Sequence, residues 1–256
     1  MRFLCGIAGM ILSVCAQTWL VGQEKAASSQ PPAVSVPFVG CKSDGQIGPQ
    51  EAPSGTTRSV PITQKTAQSL AYYEIGSGTA VLAPRGWYCF GTYGSGGESL
   101  SISPEPIDSA GIFSTKSSGF SGSAIEVSRR YGDTSGRFDV ARIIARVFPA
   151  YKSTAYKFLE GFDSATNSLA FGPYPRDALT YNSNRVVEYK TPAQTEGLGT
   201  QSWLKMNGRP IEGVAMLVGQ TPDLLVLAVR LPPGLNGLTS VIIHQFERDA
   251  ERSDRH

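Results

Sequence analysis

Ile211-Glu-Gly-Val-Ala-Met-Leu-Val218 and Leu224-Leu-Val-Leu-Ala-Val-Arg-Leu231 decide the fold. Each stretch is apolar on nearly both of its alternating faces. A strand of that kind belongs in the middle of a sheet, with cover above and below. Only the five residues Gly219-Gln-Thr-Pro-Asp223 lie between them. So short a connection joins antiparallel neighbours, because parallel strands need a crossover of a dozen residues or more.

Working outward, Pro232-Pro233-Gly234 breaks the chain, and residues 238–250 predict a helix. Leu238, Val241, Ile242 and Phe246 form its buried stripe, with His244, Glu247, Arg248 and Glu251 on the wet face. Upstream, residues 185–190, 123–130, 98–103, 86–93 and 79–83 read as strands, and the glycines of 91–97 as a tight hairpin turn. Residues 135–148 predict a helix with Phe138, Ala141, Ile144, Ala145 and Phe148 on its apolar stripe, ended by Pro149. Thr63 is an N-cap, and Ala67, Leu70 and Ala71 predict a helix from there to about residue 74. Residues 40–61 and 106–122 read as loops. The fold class that follows is α+β, an antiparallel sheet with packed helices.

The N-terminus sets the compartment. Met1-Arg2 precedes an uncharged, mostly apolar run over residues 3–15, and Val14-Cys15-Ala16 fits a cleavage site. Residues 1–16 therefore read as a signal peptide, with Gly22 as a later cleavage point. The run falls short of the ~20 apolar residues of a comfortable membrane span. An uncleaved anchor continuing through Trp19-Leu20-Val21 and a lipid anchor at Cys15 or Cys41 are the minority alternatives. Residues 17–37, rich in Gln, Ala, Ser and Pro, read as a flexible linker, and residues 38–256 as a single globular domain. The expected location is periplasmic or secreted, with no membrane span after signal removal. Cys5 and Cys15 leave with the signal, so Cys41 and Cys89 predict a single disulfide. Two unrelated buried thiols are the alternative.

Lys plus Arg is 23 and Asp plus Glu is 21, a formal charge of +2, which offers no net field for nucleic acid. Arg129, Arg130, Arg137, Arg142 and Arg146 alternate with apolar residues and with Asp133 and Asp139, and read as a mixed solvated helix face rather than an anion site. The two histidines, His244 and His256, are too few for a histidine-based zinc site, so no metal and no cofactor is expected. No Gly-x-Ser-x-Gly elbow occurs; Gly119-Phe-Ser121-Gly-Ser123 is the nearest approach. Ser202-Trp-Leu-Lys205 matches Ser-x-x-Lys at the level of chance. Glu98, Glu105, Asp108, Asp163, Asp177, Glu188 and Glu196 are scattered, and spacing alone pairs none of them for hydrolysis. The ligand-binding candidates are Arg85, Trp87, Tyr88 and Tyr93, which offer stacking faces and donors to a sugar or peptide. Strand alternation sends part of this aromatic set into the core, so packing around the disulfide competes with that reading.

Phe38-Val-Gly-Cys41-Lys-Ser-Asp-Gly-Gln and Ala83-Pro-Arg-Gly-Trp-Tyr-Cys89-Phe-Gly resemble stretches of exported bacterial proteins of unknown function, and the resemblance brings no functional residue with it. Pro84-Arg-Gly-Trp87, the late antiparallel pair and the terminal helix are loosely similar to the PsbP/Mog1-type α/β/α sandwich. Fold likeness does not fix function. The expectation is an exported, non-catalytic binding or envelope-associated protein whose partner is a small molecule, glycan or peptide. The alternative is an exported hydrolase using scattered carboxylates or a serine.

Overall fold

The structure, a computed structural model, describes residues 32–114 and 119–254. The expected signal peptide, residues 17–31 of the expected linker, and His256 lie outside the described residues.

Two sheets organise the chain. The smaller comprises β1 (Val34–Gly40), β3 (Thr57–Val60), β4 (Leu70–Glu74) and β5 (Ala80–Pro84), in the order β3-β1-β4-β5. The larger comprises β2 (Ser43–Gly45), β6 (Tyr88–Gly94), β7 (Gly97–Ser103), β8 (Ala124–Arg130), β9 (Ala178–Tyr181), β10 (Val186–Thr191), β11 (Ile211–Val218) and β12 (Asp223–Arg230). Its order is β2-β6-β7-β8-β12-β11-β10-β9, so the two greasiest strands sit inside it as predicted. They pair antiparallel, with Val214 opposite Leu227. Pairing is antiparallel throughout except for β1 with β4 and β2 with β6. The hairpin expected at the glycine-rich turn joins β6 to β7, and Gly97 takes a φ of 146° there.

The larger sheet is covered on both faces because its central strands are apolar on both. On one face, Val127, Val214, Leu227 and Val229 share a core with Val36, Tyr73 and Leu82 of the smaller sheet. Ile242 and Phe246 of α6 (Thr239–Ser253) complete it. On the other face, Ala124, Ala215, Leu217 and Ala228 meet Val140 and Ile144 of α3 (Arg137–Val147) and Ala155 of α4 (Lys152–Phe158). Cys41, just after β1, is bonded to Cys89 in β6 with their Cα atoms 5.5 Å apart, so the disulfide ties the two sheets together. Among the described residues, no helix is long and apolar enough to cross a membrane.

Several boundaries differ from expectation. Thr63 does cap a helix, accepting the Thr66 N–H at 3.2 Å, but α1 (Gln64–Ala67) is a single turn. The remainder of the expected helix is β4, where Leu70, Ala71, Tyr72 and Tyr73 are all buried between β1 and β5. A short run apolar on every side satisfies helical and strand spacing alike, and the neighbouring strands decide. The first strand starts at Val34, inside the stretch read as linker, because β4 and β3 take up its backbone hydrogen bonds. The segment 40–61 contributes β2 and β3, and 106–122 carries the one-turn α2 (Ser109–Ile112) capped by Asp108.

Candidate functional site

A concavity that combines buried and charged side chains lies on the α3 face of the larger sheet. Alternation along β8 turns Ala124, Glu126, Ser128 and Arg130 to this face and Ile125, Val127 and Arg129 to the other. The register with β12 sets Glu126 opposite Ala228, Ser128 opposite Val226 and Arg130 opposite Leu224. Above them, Asp139, Arg142, Ile143 and Arg146 of α3 recur at i, i+3, i+4 and i+7, which aligns them on one stripe. Val140, Ala141, Ile144 and Ala145 bury the adjoining stripe and hold the helix down. The sheet, this stripe and the segments carrying Tyr174 and Trp203 enclose a cleft of about 290 Å³.

Trp203 reaches the cleft through a chain of fixed contacts. Asp177 accepts the Thr191 hydroxyl and the Leu198 N–H, each at 2.7 Å, which anchors the helical turn Leu198–Gln201. Beyond it, residues 203–205 bond to Phe120, whose N–H donates to the Trp203 carbonyl at 2.7 Å. Arg230 clamps both segments. Its guanidinium, 1% exposed, donates to the carbonyls of Gly122, Lys205 and Phe120 at 2.7, 2.5 and 2.6 Å. Burial and the nearby Arg209 push Arg230 down to about 10, still charged at neutral pH.

Glu126 forms the floor. It is 3% exposed, and its Oε2 accepts the Trp203 N–H. Burial pushes its carboxyl up to about 7, opposed by that hydrogen bond and by Arg130 and Lys205. Arg130 acts on this carboxyl, and Arg142 and Arg146 line the same cleft. Arg130 Nε lies 3.4 Å from Asp139, which Arg142 also contacts, so one carboxylate is shared by two guanidiniums. Arg146 stacks on the Tyr174 ring at 4.4 Å and donates to the Gly172 carbonyl at 3.4 Å. Three arginines against the carboxyls of Asp139 and Glu126 leave the cleft lining with a cationic surplus.

The expected mixed helix face is thus divided. Arg129 and Arg130 lie on β8 rather than on a helix; Arg129 faces away from the cleft and pairs with Asp223 at 2.8 Å, Arg137 lies over Phe138 and Phe162, and Arg130, Arg142 and Arg146 line the cleft. The scattered carboxylates named from the sequence do not include Glu126. Its signal is a lone acid, alternating with Ile125 and Val127, in a strand bound for a sheet interior.

Arg85, Trp87, Tyr88 and Tyr93 do not form one platform. Arg85 donates to the carbonyls of Leu70 and Ala67 at 2.9 and 2.7 Å, fastening the end of α1. Trp87 packs on the core beside Cys89. Tyr93 donates its hydroxyl to the Gly48 carbonyl at the far end of β6. Tyr88, 51% exposed, is the one of the four with an open ring.

The hydroxyl of Ser202 donates to the Gly199 carbonyl at 2.6 Å and accepts the Leu204 N–H at 3.0 Å, so this cleft serine shapes a turn. His244 lies on α6, across the sheet from it. There His244, Glu188 and Glu247 bring ligand-type atoms within 4.8 Å of one another, and the Asn182 amide donates to Glu188 at 2.7 Å and to Glu247 at 3.2 Å. Burial, then Glu188, pushes Glu247 up to about 7. The two carboxyls raised to about 7 therefore occupy opposite faces of one sheet.

No family model, no curated protein and no solved structure matches this chain.

Proposed function

We propose that this is an exported, non-catalytic binding protein whose α3-face cleft takes a small molecule carrying a carboxylate or phosphate. The observation that carries the reading is that Arg130, Arg142 and Arg146 line one cleft together with the buried carboxyl of Glu126. Guanidinium forks suit planar anionic groups such as carboxylate and phosphate. Neutral Glu126 offers a donor and no repulsion, whereas ionised Glu126 opposes an anion. Binding to this site weakens as pH rises through about 7.

Hydrolysis needs a second group to share the chemistry. Within the cleft, Asp139 is held by two arginines and Ser202 is committed to its turn. The other raised carboxyl is across the sheet. These arrangements favour binding over hydrolysis. The disulfide, which suits an oxidising compartment, supports export.

The test is a titration of the ¹⁵N-labelled protein with inorganic phosphate, citrate and a panel of sugar phosphates at pH 6 and pH 8. The expected result is saturable shifts of the Trp203 amide and of the Arg130, Arg142 and Arg146 side-chain signals, tighter at pH 6 and lost in R142A/R146A. Shifts confined to Tyr88 and its neighbours, or no saturable shift with any anion, would overturn the reading.

A further inference from the structure

We propose that Glu188, His244 and Glu247 form a divalent-cation site of zinc type, separate from the anion cleft and on the opposite face of the larger sheet. The donors come from two elements. Glu188 projects from β10 on the side opposite Val187 and Tyr189, which are buried in the α3-face core. His244 and Glu247 sit at i and i+3 on α6, a spacing that brings both side chains to one helix face. Their ligand-type atoms all lie within 4.8 Å of one another, and His244 Nε2 is 3.8 Å from Glu188 Oε1. Zinc–ligand bonds of about 2.0–2.2 Å place tetrahedral ligands about 3.3 Å apart, so small side-chain adjustments close the set.

The chemistry selects the ion. One imidazole nitrogen with two carboxylate oxygens is a donor set for zinc and its transition-metal neighbours. Calcium and magnesium favour oxygen ligands, and calcium takes six to eight of them. The Asn182 amide orients both glutamates through its two hydrogen bonds. The His244 side chain is 53% exposed, so the fourth ligand position opens to water.

Calorimetric titration of the untagged chain with zinc, in a non-chelating buffer, tests the site. One zinc per chain is expected, with affinity reduced at least about tenfold in H244A, in E188Q and in E247Q, and about tenfold in N182A. H256A, E126Q and R142A leave it unchanged, the last two because the site does not depend on the anion cleft. These rim substitutions leave far-UV circular dichroism unchanged without metal, and any variant that fails this control is replaced by following the His244 ring nitrogens in the intact chain, which shift on zinc addition. Unchanged affinity in H244A and E188Q, loss of binding in H256A, or an unmoved His244 resonance would overturn the proposal.

Discussion

The two faces of β8 and β12 are made from neighbouring residues of the same strands, and they do different work. Facing the smaller sheet and α6, Val127, Leu227 and Val229 lie in a continuous apolar core. Facing α3, Glu126, Ser128 and Arg130 border a cleft that α3 roofs only in part. A sheet face covered by another sheet and a helix buries its central apolar side chains, and water reaches it at a second cleft lined by Glu98, Arg129 and Asp249. A face covered by short helices leaves a gap that polar side chains fill. The difference teaches that a central strand is a stability element on one side and a site element on the other.

The sharpest way to break this contrast is to unfasten the covered face. C41S/C89S removes the link between the sheets, and with the cysteines 48 positions apart the loss is about 4 kcal/mol in the chain-entropy model. Urea denaturation measures it, and a shift below ~1 kcal/mol would mean the sheets hold without the bond. Next comes paired truncation at adjacent positions of β12. Leu227→Ala, on the covered face, costs about 3 kcal/mol, while Val226→Ala, bordering the cleft, costs about 1 kcal/mol. Equal costs would erase the distinction.

The pH dependence sharpens the contrast at a single residue. Glu126 has a folded pKa near 7, above its ordinary value of 4.5, so the folded state binds more protons between those limits. Its contribution is fully present below about pH 4.5 and is lost as pH rises through about 7, a change of about 3 kcal/mol. E126Q removes that slope and leaves the one from Glu247, which is also pushed up to about 7. A slope unchanged by E126Q would show that Glu126 titrates normally. The smallest effect on stability belongs to Arg142→Ala, below about 0.5 kcal/mol because the Arg142 side chain is 68% exposed. The same substitution weakens anion binding several-fold, which separates the cleft's role in recognition from any role in folding.

The interior strands were legible because burial on both faces writes an uninterrupted apolar run into the chain. The terminal helix was legible from its stripe, with Ile242 and Phe246 buried as expected. Leu70–Glu74 was not, because a strand this short acquires its identity from the partners β1 and β5 that flank it. The site was less legible still. Arg130, Arg142 and Arg146 were visible as a basic cluster, but Arg129 and Arg137 sit in the same run and point elsewhere. Glu126 carried no spacing signal, since its partner Trp203 lies 77 residues further on.

The sequence by itself determined the α+β class, the central antiparallel pair and the choice of Cys41 and Cys89 as disulfide partners. Each is set by local periodicity, by a connection too short for a crossover, or by there being just two cysteines beyond the N-terminal apolar run. Only the tertiary structure decided which arginines meet, that Glu126 is deprived of water, and that Glu188 stands beside His244 and Glu247. Those outcomes depend on strand register and on helices laid across a sheet. They join residues far apart in the chain, and no local pattern encodes such distances.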